Sequence, residues 1–301
     1  MAKKITKLLN PRLDPNFKAI FTQPTEDSRK ALKSFLTAAI GRQVTKVKVI
    51  ENEPAKEFSE QRGISYDINC TFDDGENAQI ELQGFDREYD YGKRAEYYAS
   101  RLVSSTLKIS DDWSEVPKAY QISVLNFKYD KDREEAIHHY RMTDIKDGAR
   151  LADTLNVIFM ELPKIPPLNE ENVAENLPSI IKWCKFLKEA DHPEKQDLLN
   201  QIVQTEEGIM AAETTLNKIS MDGWRWIIQG QIEGRERDIR SGYIAHLERG
   251  RKEGAQAASL ENAKNLLKLG VVAETVAKGC SLPLEQVLAL RDELTKGDKK
   301  D

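Results

Sequence analysis

Apolar residues follow a helical spacing and then an alternating one in the first part of the chain. Residues 27–40 place alanine, leucine, phenylalanine and isoleucine three and four positions apart, and Gly41 follows where such a helix would end. Residues 44–51 alternate and contain three valines, a composition typical of a strand. This region is therefore predicted to form a helix followed by a strand.

The next two alternating segments predict a β-hairpin. Residues 66–72 and 78–83 flank the sequence Asp-Asp-Gly-Glu, which is typical of a tight turn. With the turn centred on Asp74, Asp67 on the first strand lies opposite Glu81 on the second. A slip of one residue would still leave these two carboxylates as neighbours, because adjacent positions across a ladder stay close together.

Three further elements are predicted before the first proline-rich segment. Residues 93–108 have helical spacing, whereas residues 119–127 and 155–162 are apolar strands, the second of which ends at Pro163. Helices and strands thus mix along this part of the chain. The pattern predicts an α/β layered domain over residues 10–165.

The remainder of the chain is predicted to be entirely helical. Prolines at 163, 166 and 167 mark the boundary, and residues 166–232 form a helical region. Residues 233–301 are predicted as an arginine-rich, glycine-punctuated linker helix and a small C-terminal module, with helices over residues 259–269, 271–279 and 283–295. The last of these is acidic, which favours a protein contact over the reading of DNA.

Composition and charge narrow the classes of protein to consider. Charged residues make up 32% of the chain and the net charge is −5, but residues 166–215 hold four lysines against ten acidic residues. Both ends therefore remain able to present basic faces to DNA. Three scattered cysteines and four histidines show no zinc-ligand spacing, and no apolar run is long enough to cross a bilayer. We expect a cytoplasmic protein that makes no contact with a membrane.

Asp67 and Glu81 are the strongest candidates for chemistry. Carboxylates opposed across a ladder lie about 5 Å apart and repel one another. A bound divalent cation removes that repulsion, and oxygen ligands of this kind suit Mg²⁺ or Mn²⁺. The pattern alone leaves open a simpler interpretation, in which both residues belong to the solvated face of a half-exposed hairpin.

Several short motifs add a family resemblance to this pattern. They are Asp14-Pro15-Asn16-Phe17-Lys18-Ala19-Ile20-Phe21, Asp67-Ile68, Ile80-Glu81-Leu82-Gln83, Arg94, Tyr97-Tyr98 and Tyr120-Gln121-Ile122-Ser123. In this order and spacing, the chain resembles the PD-(D/E)XK nuclease family transposases and recombination-promoting nucleases. The resemblance implies a restriction-endonuclease-like core, a mixed sheet flanked by helices, that cuts DNA with bound Mg²⁺ (or Mn²⁺) as cofactor.

The same resemblance assigns roles to individual residues. Asp67 and Glu81 would be catalytic metal ligands, and Asp14 would hold the metal or one of its waters. Gln83 would take the position that a lysine usually occupies, where it orients by hydrogen bonds but supplies no positive charge. Tyr66 stands where the motif has proline.

Four residues are candidates for contact with DNA. Lys18 lies four positions after Asp14, so on a helix the two share a face. Arg94, Tyr98 and Arg101 recur as one helical stripe in which two arginines flank a tyrosine, an arrangement that suits phosphate contact. Alternatively, Asp14 caps a helix, Tyr98 belongs to the core, and the basic residues are ordinary surface residues.

The leading hypothesis is a Mg²⁺-dependent DNA endonuclease that acts in recombination or in the transposition of a mobile element. A second hypothesis is a catalytically weak or inactive DNA-binding or assembly protein that keeps the fold. A third is an unrelated α/β protein with surface carboxylates. A homodimer also stays open, because cutting both strands with one site per chain favours two protomers.

Overall fold

The computed structural model describes residues 7–53, 65–73, 75–86, 90–106, 111–171, 173 and 176–297. The chain divides into two compact units, Met1–Gly230 and Gln231–Asp301. Within the described residues, the first unit holds the sheet together with the helices that pack on it. The second unit is helical, and the two are described separately below.

The part of the chain that the structure describes contains a six-stranded mixed sheet in the first unit. Its order is β1-β2-β3-β4-β6-β5. The strands β3, β4 and β6 run parallel, whereas the other neighbouring pairs are antiparallel. The strands are β1 (Val47–Val49), β2 (Ile68–Phe72), β3 (Glu76–Gln83), β4 (Ala119–Leu125), β5 (Ile137–Arg141) and β6 (Leu155–Glu161). The predicted α/β class is confirmed.

Helices cover both faces of this sheet. They are α1 (Asp14–Thr22), α2 (Glu26–Ile40), α3 (Tyr91–Ser104), α4 (Ser179–Glu189), α5 (Gln196–Val203) and α6 (Glu207–Ser220). The helix α2 has a clear start and stop in the sequence. The side chain of Thr25 accepts a hydrogen bond from the Ser28 N–H, and Gly41 adopts a left-handed conformation with φ 78° at the other end.

The two faces of the sheet differ in composition. One face contributes Ile68, Ile80 and Ile122 to a large apolar core shared with α1, α2, α4, α5 and α6. The opposite face is covered by α3, whose small residues Ala95 and Ala99 allow the helix to lie close to β4 and β6. The helix α3 therefore packs on the face that carries Glu81.

At the predicted boundary, residues 163–167, the first unit changes from mixed strands and helices to helices alone. After a 3₁₀ turn at Leu162–Lys164, the chain continues into α4, whose Trp183 packs against Phe21 and Phe35 in the same apolar core. The sheet and the helices that follow it therefore share one core. The division into residues 10–165 and 166–232 stays a prediction about sequence organisation.

The C-terminal helices differ in length from the prediction. The linker helix and the predicted helix 259–269 are one continuous helix, α7 (Gly223–Lys268), which begins in the first unit. It is followed by α8 (Ala273–Cys280) and α9 (Leu284–Gly297), which correspond to the other two predicted helices. Residues of all three form a small apolar cluster around Ala263, Val276 and Val287. After its first residue, Gly223, the helix α7 contains five further glycines, at positions 230, 234, 242, 250 and 254.

Two other elements depart from the prediction. The strand β5 was not predicted. The helix α3 spans Tyr91–Ser104, so it starts before and ends before the predicted range, whose last two residues lie outside the described residues. Across the described ranges, no helix has the length and apolar character that a bilayer crossing requires.

Candidate functional site

The hairpin brings Asp67 and Glu81 together as its register requires. Ile68 pairs with Ile80 and Phe72 pairs with Glu76, which confirms the predicted register. Asp67 immediately precedes β2, so it lies beside Glu81 on β3. The charge of Asp67 contributes to raising the pKa of Glu81, as expected for neighbouring carboxylates.

Asp67 is held by one backbone group and one ammonium group. Its Oδ2 accepts a hydrogen bond of 2.9 Å from the Leu82 N–H, and its Oδ1 lies 3.4 Å from Lys18 Nζ. Burial raises the pKa of Asp67, and the negative charge of Asp14 adds to the rise. The Leu82 N–H and Lys18 oppose that shift without cancelling it. Lys18 therefore stabilises the charged form of Asp67.

The helix α1 supplies the remaining charges at this end of the site. Lys18 Nζ lies 2.8 Å from Asp14 Oδ1, so its ammonium group bridges Asp14 and Asp67. This confirms that Asp14 and Lys18 share a helical face. Both side chains are partly exposed, which leaves them within reach of a ligand.

Glu81 is buried more deeply than Asp67 and has partners on α3. It is only 1% exposed, and its Oε1 accepts a hydrogen bond of 2.6 Å from Arg94 Nη2. The Tyr91 hydroxyl donates to Glu81 Oε2 at 3.2 Å and lies 3.1 Å from Ser123 Oγ. Burial raises the pKa of Glu81, whereas Arg94 lowers it.

Local sequence explains why α3 reaches Glu81. Asp90 caps the helix by accepting hydrogen bonds from the Gly92 and Lys93 N–H groups. A Cβ at position 92 would lie 2.3 Å from the Tyr129 hydroxyl, so a larger residue there would require the Tyr129 side chain to move. From this first turn of α3, Tyr91 and Arg94 extend to Glu81.

The other predicted DNA-contacting residues lie along the same helix. The Arg94 guanidinium stacks 4.5 Å from the centre of the Tyr98 ring, so the predicted stripe exists. Tyr98 and Arg101 are both buried within the chain, and Tyr98 packs edge-on against Tyr66. Lys18 and Arg94 are the two basic candidates whose side chains are partly exposed.

Gln83 is the last residue of β3 and lies two positions after Glu81, on the same face of the strand. Its side chain is half-buried, and its backbone carbonyl accepts a hydrogen bond from the Asn126 N–H. Gln83 thus lies beside the carboxylates at the carboxyl end of a parallel strand.

Sequence reasoning missed two members of this cluster, Tyr91 and Ser123. Ser123 pairs with Glu81 in the parallel ladder between β3 and β4. Together with Gln121, this polar residue interrupts a strand that is otherwise apolar, which was a usable signal. Tyr91 carried no such signal, because its contact with Glu81 depends on where α3 begins.

The donor set fits a hard divalent cation. Across the described residues, no group of three or more His, Cys, Asp or Glu side chains forms a ready-made metal site. Mg²⁺ does not need one, since it is commonly held by one or two carboxylates and keeps several waters. Asp67 and Glu81 supply such a pair. Burial raises the pKa of both carboxyl groups, so a bound cation would offset part of the cost of keeping them charged.

Comparison with known protein families identifies a match that covers most of the chain. A family model described as PD-(D/E)XK nuclease family transposase matches residues 11–241. This range includes α1, the hairpin, α3 and the rest of the sheet. No curated protein and no solved structure gives a significant match to the chain.

Proposed function

The chain belongs to the PD-(D/E)XK nuclease family transposases, and on this basis we propose that it is a Mg²⁺-dependent DNA endonuclease. We further propose that it acts in DNA recombination or in the transposition of a mobile element. The observation that carries the proposal is the neighbouring pair Asp67 and Glu81, each of which contacts a positively charged side chain from a different helix.

The proposed cofactor would bind between Asp67 and Glu81, with Asp14 holding it or one of its waters. When bound there, Mg²⁺ or Mn²⁺ would polarise the phosphodiester and lower the pKa of a water molecule. The Leu82 N–H fixes the orientation of Asp67, and Arg94 with Tyr91 fixes that of Glu81. These contacts hold the ligands in place before a substrate arrives, which lowers the cost of organising the site.

The remaining residues would act on the phosphate and the attacking water. Lys18 is partly exposed beside Asp67, so its ammonium can leave Asp14 and contact a phosphate oxygen. Arg94 is the second candidate for phosphate contact. Gln83 would orient the attacking water through its amide, since it has no charge to offer.

One observation favours the second candidate function, a weakly active or inactive DNA-binding protein. Glu81 is almost fully buried and already paired with Arg94 at 2.6 Å. Coordination of a metal by Glu81 would require this pair to loosen. Together with glutamine at position 83, this arrangement is also consistent with a chain that binds DNA and cuts it slowly.

Nicking of supercoiled plasmid by the purified chain tests the proposal, with Mg²⁺, Mn²⁺ or EDTA present. We expect metal-dependent nicking that falls by about 10²–10³-fold in Asp67→Asn and in Glu81→Gln, because each variant removes a charged oxygen from the cation. Glu96→Gln is the matched control, since Glu96 is an exposed carboxylate on α3.

The outcomes separate the two candidate functions. Nicking lost in both site variants and kept in Glu96→Gln supports the endonuclease. Undiminished nicking in Asp67→Asn would remove this residue from the active site. If the wild-type chain binds DNA but does not nick it with any metal, the non-catalytic function is correct.

A further inference from the structure

The middle of the long helix α7 is exposed within the part of the chain that the structure describes. Residues 237–258 are all exposed, and at 1.5 Å per residue they span about 33 Å. This stretch nevertheless carries large apolar side chains, since Ile239 is 53% exposed, Tyr243 36% and Leu247 44%. An apolar face left in solvent over this length is typical of a surface that binds a partner.

These apolar side chains belong to one continuous row along the helix, which we call the α7 stripe. Its positions are three or four residues apart and therefore lie on one helical face. The stripe consists of Ile232, Glu236, Ile239, Tyr243, Leu247, Gly250 and Gly254. Its larger side chains lie in the first half and at the centre, whereas the last two positions are glycines.

The centre of the stripe is complementary to itself when a second copy of α7 runs in the opposite direction. With Tyr243 at the midpoint, residues equally far before and after it face each other. Tyr243 then lies against the partner's Tyr243, and Ile239 lies against the partner's Leu247. Aromatic rings and branched aliphatic side chains thus meet at the middle of the pair, where they would be removed from water.

The two ends of the stripe are complementary in size. In the same antiparallel arrangement, Ile232 faces the partner's Gly254, and Glu236 faces the partner's Gly250. Each larger side chain thus lies against a position without a Cβ, so the helices can approach to the usual 8–10 Å between axes. The carboxylate of Glu236 lies beside a glycine and not beside another charge.

A parallel pair would lack this complementarity, because it opposes identical residues. Glu236 would face the partner's Glu236 within the contact, and like charges there repel. Gly250 and Gly254 would face the same two glycines, which leaves a gap without packing atoms on either side. The stripe therefore favours the antiparallel direction.

Charged side chains beside the stripe fit the same arrangement. Arg235 and Glu253 lie on one side of it, and Glu233 and Arg251 lie on the other. In the antiparallel pair, Arg235 faces the partner's Glu253 with an offset of about 3 Å along the helix axis. Glu233 faces the partner's Arg251 with the same offset. Opposite charges thus border both sides of the contact, and twofold symmetry repeats each pairing.

We propose that α7 is a dimerisation helix, which pairs with α7 of a second copy of this chain in the antiparallel direction, centred on Tyr243. The pairing accounts for two glycines that the single chain does not require, since a Cβ at Gly250 or Gly254 meets nothing within 4 Å. This inference goes beyond the proposed nuclease activity and does not depend on it.

Sedimentation equilibrium of the full-length chain over a range of micromolar concentrations tests the proposal. We expect the wild type to form a dimer. Leu247→Glu places a charge against the partner's Ile239 and should raise the dissociation constant by at least about thirtyfold. Ala245→Glu is the matched control, because it adds the same charge at an exposed position on the opposite face of α7. It should dimerise like the wild type.

Glycine variants separate pairing from helix propensity. Gly254→Leu and Gly234→Leu both introduce a better helix former into α7. Only Gly254 lies on the stripe, where leucine would collide with the partner's Ile232, so this variant should dimerise about tenfold more weakly. Gly234 lies on the opposite face of the helix, and its variant should dimerise like the wild type. Equal dissociation constants for the two variants would contradict the proposed contact.

An exchange of charges tests the direction of the pair. Arg235→Glu opposes like charges across the antiparallel contact, twice by symmetry, and should weaken the dimer by about tenfold. Adding Glu253→Arg to this variant should restore the wild-type dissociation constant. In a parallel pair, the second substitution would instead face the partner's Arg251 and weaken the dimer further.

The following results would overturn the proposal: a wild-type chain that stays monomeric, a dimer that Leu247→Glu leaves unchanged, or a charge exchange that fails to restore dimerisation. Urea denaturation of each variant checks that the first unit stays folded. Failure of the proposed endonuclease is distinguishable, because Asp67→Asn should dimerise like the wild type even where it fails to nick DNA.

Discussion

The two faces of the sheet use buried space in different ways. The face toward α1 and α2 is apolar, and its core includes the rings of Phe21, Phe35 and Trp183, whose centres lie 5.2 to 5.7 Å apart. The face toward α3 is equally buried but carries polar side chains, at Asn69, Gln79, Glu81, Gln121 and Ser123.

The polar side chains beneath α3 fall into two groups. Glu81 and Ser123 are paired with Arg94 and Tyr91 from that helix. By contrast, neither amide atom of Gln79 has a hydrogen-bond partner among the described residues. Burial of apolar side chains on the first face stabilises the folded chain. Burial of unpaired polar side chains on the α3 face lowers its stability, yet these side chains are present. That difference indicates that the α3 face is organised for function.

The largest expected effect is on the apolar face. Phe35→Ala should lower the free energy of unfolding by about 3–5 kcal/mol, since it leaves a cavity among packed rings. Urea denaturation followed by circular dichroism measures this change. A loss below about 1 kcal/mol would show that the ring cluster repacks, and the contrast between the faces would weaken.

A second prediction concerns the pH dependence of stability. Burial raises the pKa of Asp67. A carboxyl group with a higher pKa in the folded chain contributes stability below its unfolded pKa, near 4, and loses it as the pH rises through the folded pKa. In EDTA, the wild-type chain should therefore become less stable relative to Asp67→Asn as the pH rises from about 4 toward neutrality.

Urea denaturation of both chains at a series of pH values measures that difference. Mg²⁺ added at neutral pH should restore part of the wild-type stability and leave Asp67→Asn almost unchanged, because a ligand that binds the folded chain stabilises it. A difference that stays constant with pH would contradict the desolvation of Asp67.

The third prediction concerns an unpaired amide on the α3 face. Gln79→Leu should raise the free energy of unfolding by about 1 kcal/mol, since it replaces a fully buried polar group without a partner by an apolar one of similar size. Gln121→Leu is the comparison, because Gln121 also donates to Ser123 Oγ at 2.9 Å and should gain less. Destabilisation in both variants would mean that ordered water satisfies these amides.

The smallest expected effect concerns the start of α3. Asp90→Ala removes the cap and should lower the free energy of unfolding by about 0.5–1 kcal/mol. It should also reduce plasmid nicking, since Arg94 lies in the turn that Asp90 fixes. Equal nicking by Asp90→Ala and the wild type would show that other contacts are enough to place Arg94.

Local patterns were sufficient to predict much of the fold and the centre of the candidate site. The spacing in residues 27–40 and the cap at Gly41 gave α2, and strict alternation gave the hairpin register that sets Asp67 beside Glu81. These features depend on neighbours close in sequence. The metal-ligand and DNA-contact roles of the site residues remain predictions.

Features that depend on distant contacts were harder to predict. The alternating pattern was consistent with a polar face of the hairpin that is open to solvent. In the structure, α3 covers this face and buries Glu81. The same packing buries Tyr98 and Arg101, which a helical stripe alone cannot distinguish from surface residues. The continuity of α7 was also missed, because its glycines are ordinarily signals of a break.

Those glycines have a consequence for hydrogen exchange. A Cβ built at any of the five, from Gly230 to Gly254, meets nothing within 4 Å, so packing does not repay their low helix propensity. Each costs about 1 kcal/mol relative to alanine. Amide protons in this stretch should therefore exchange with solvent faster than those of α2 or α6, through openings that leave the sheet intact.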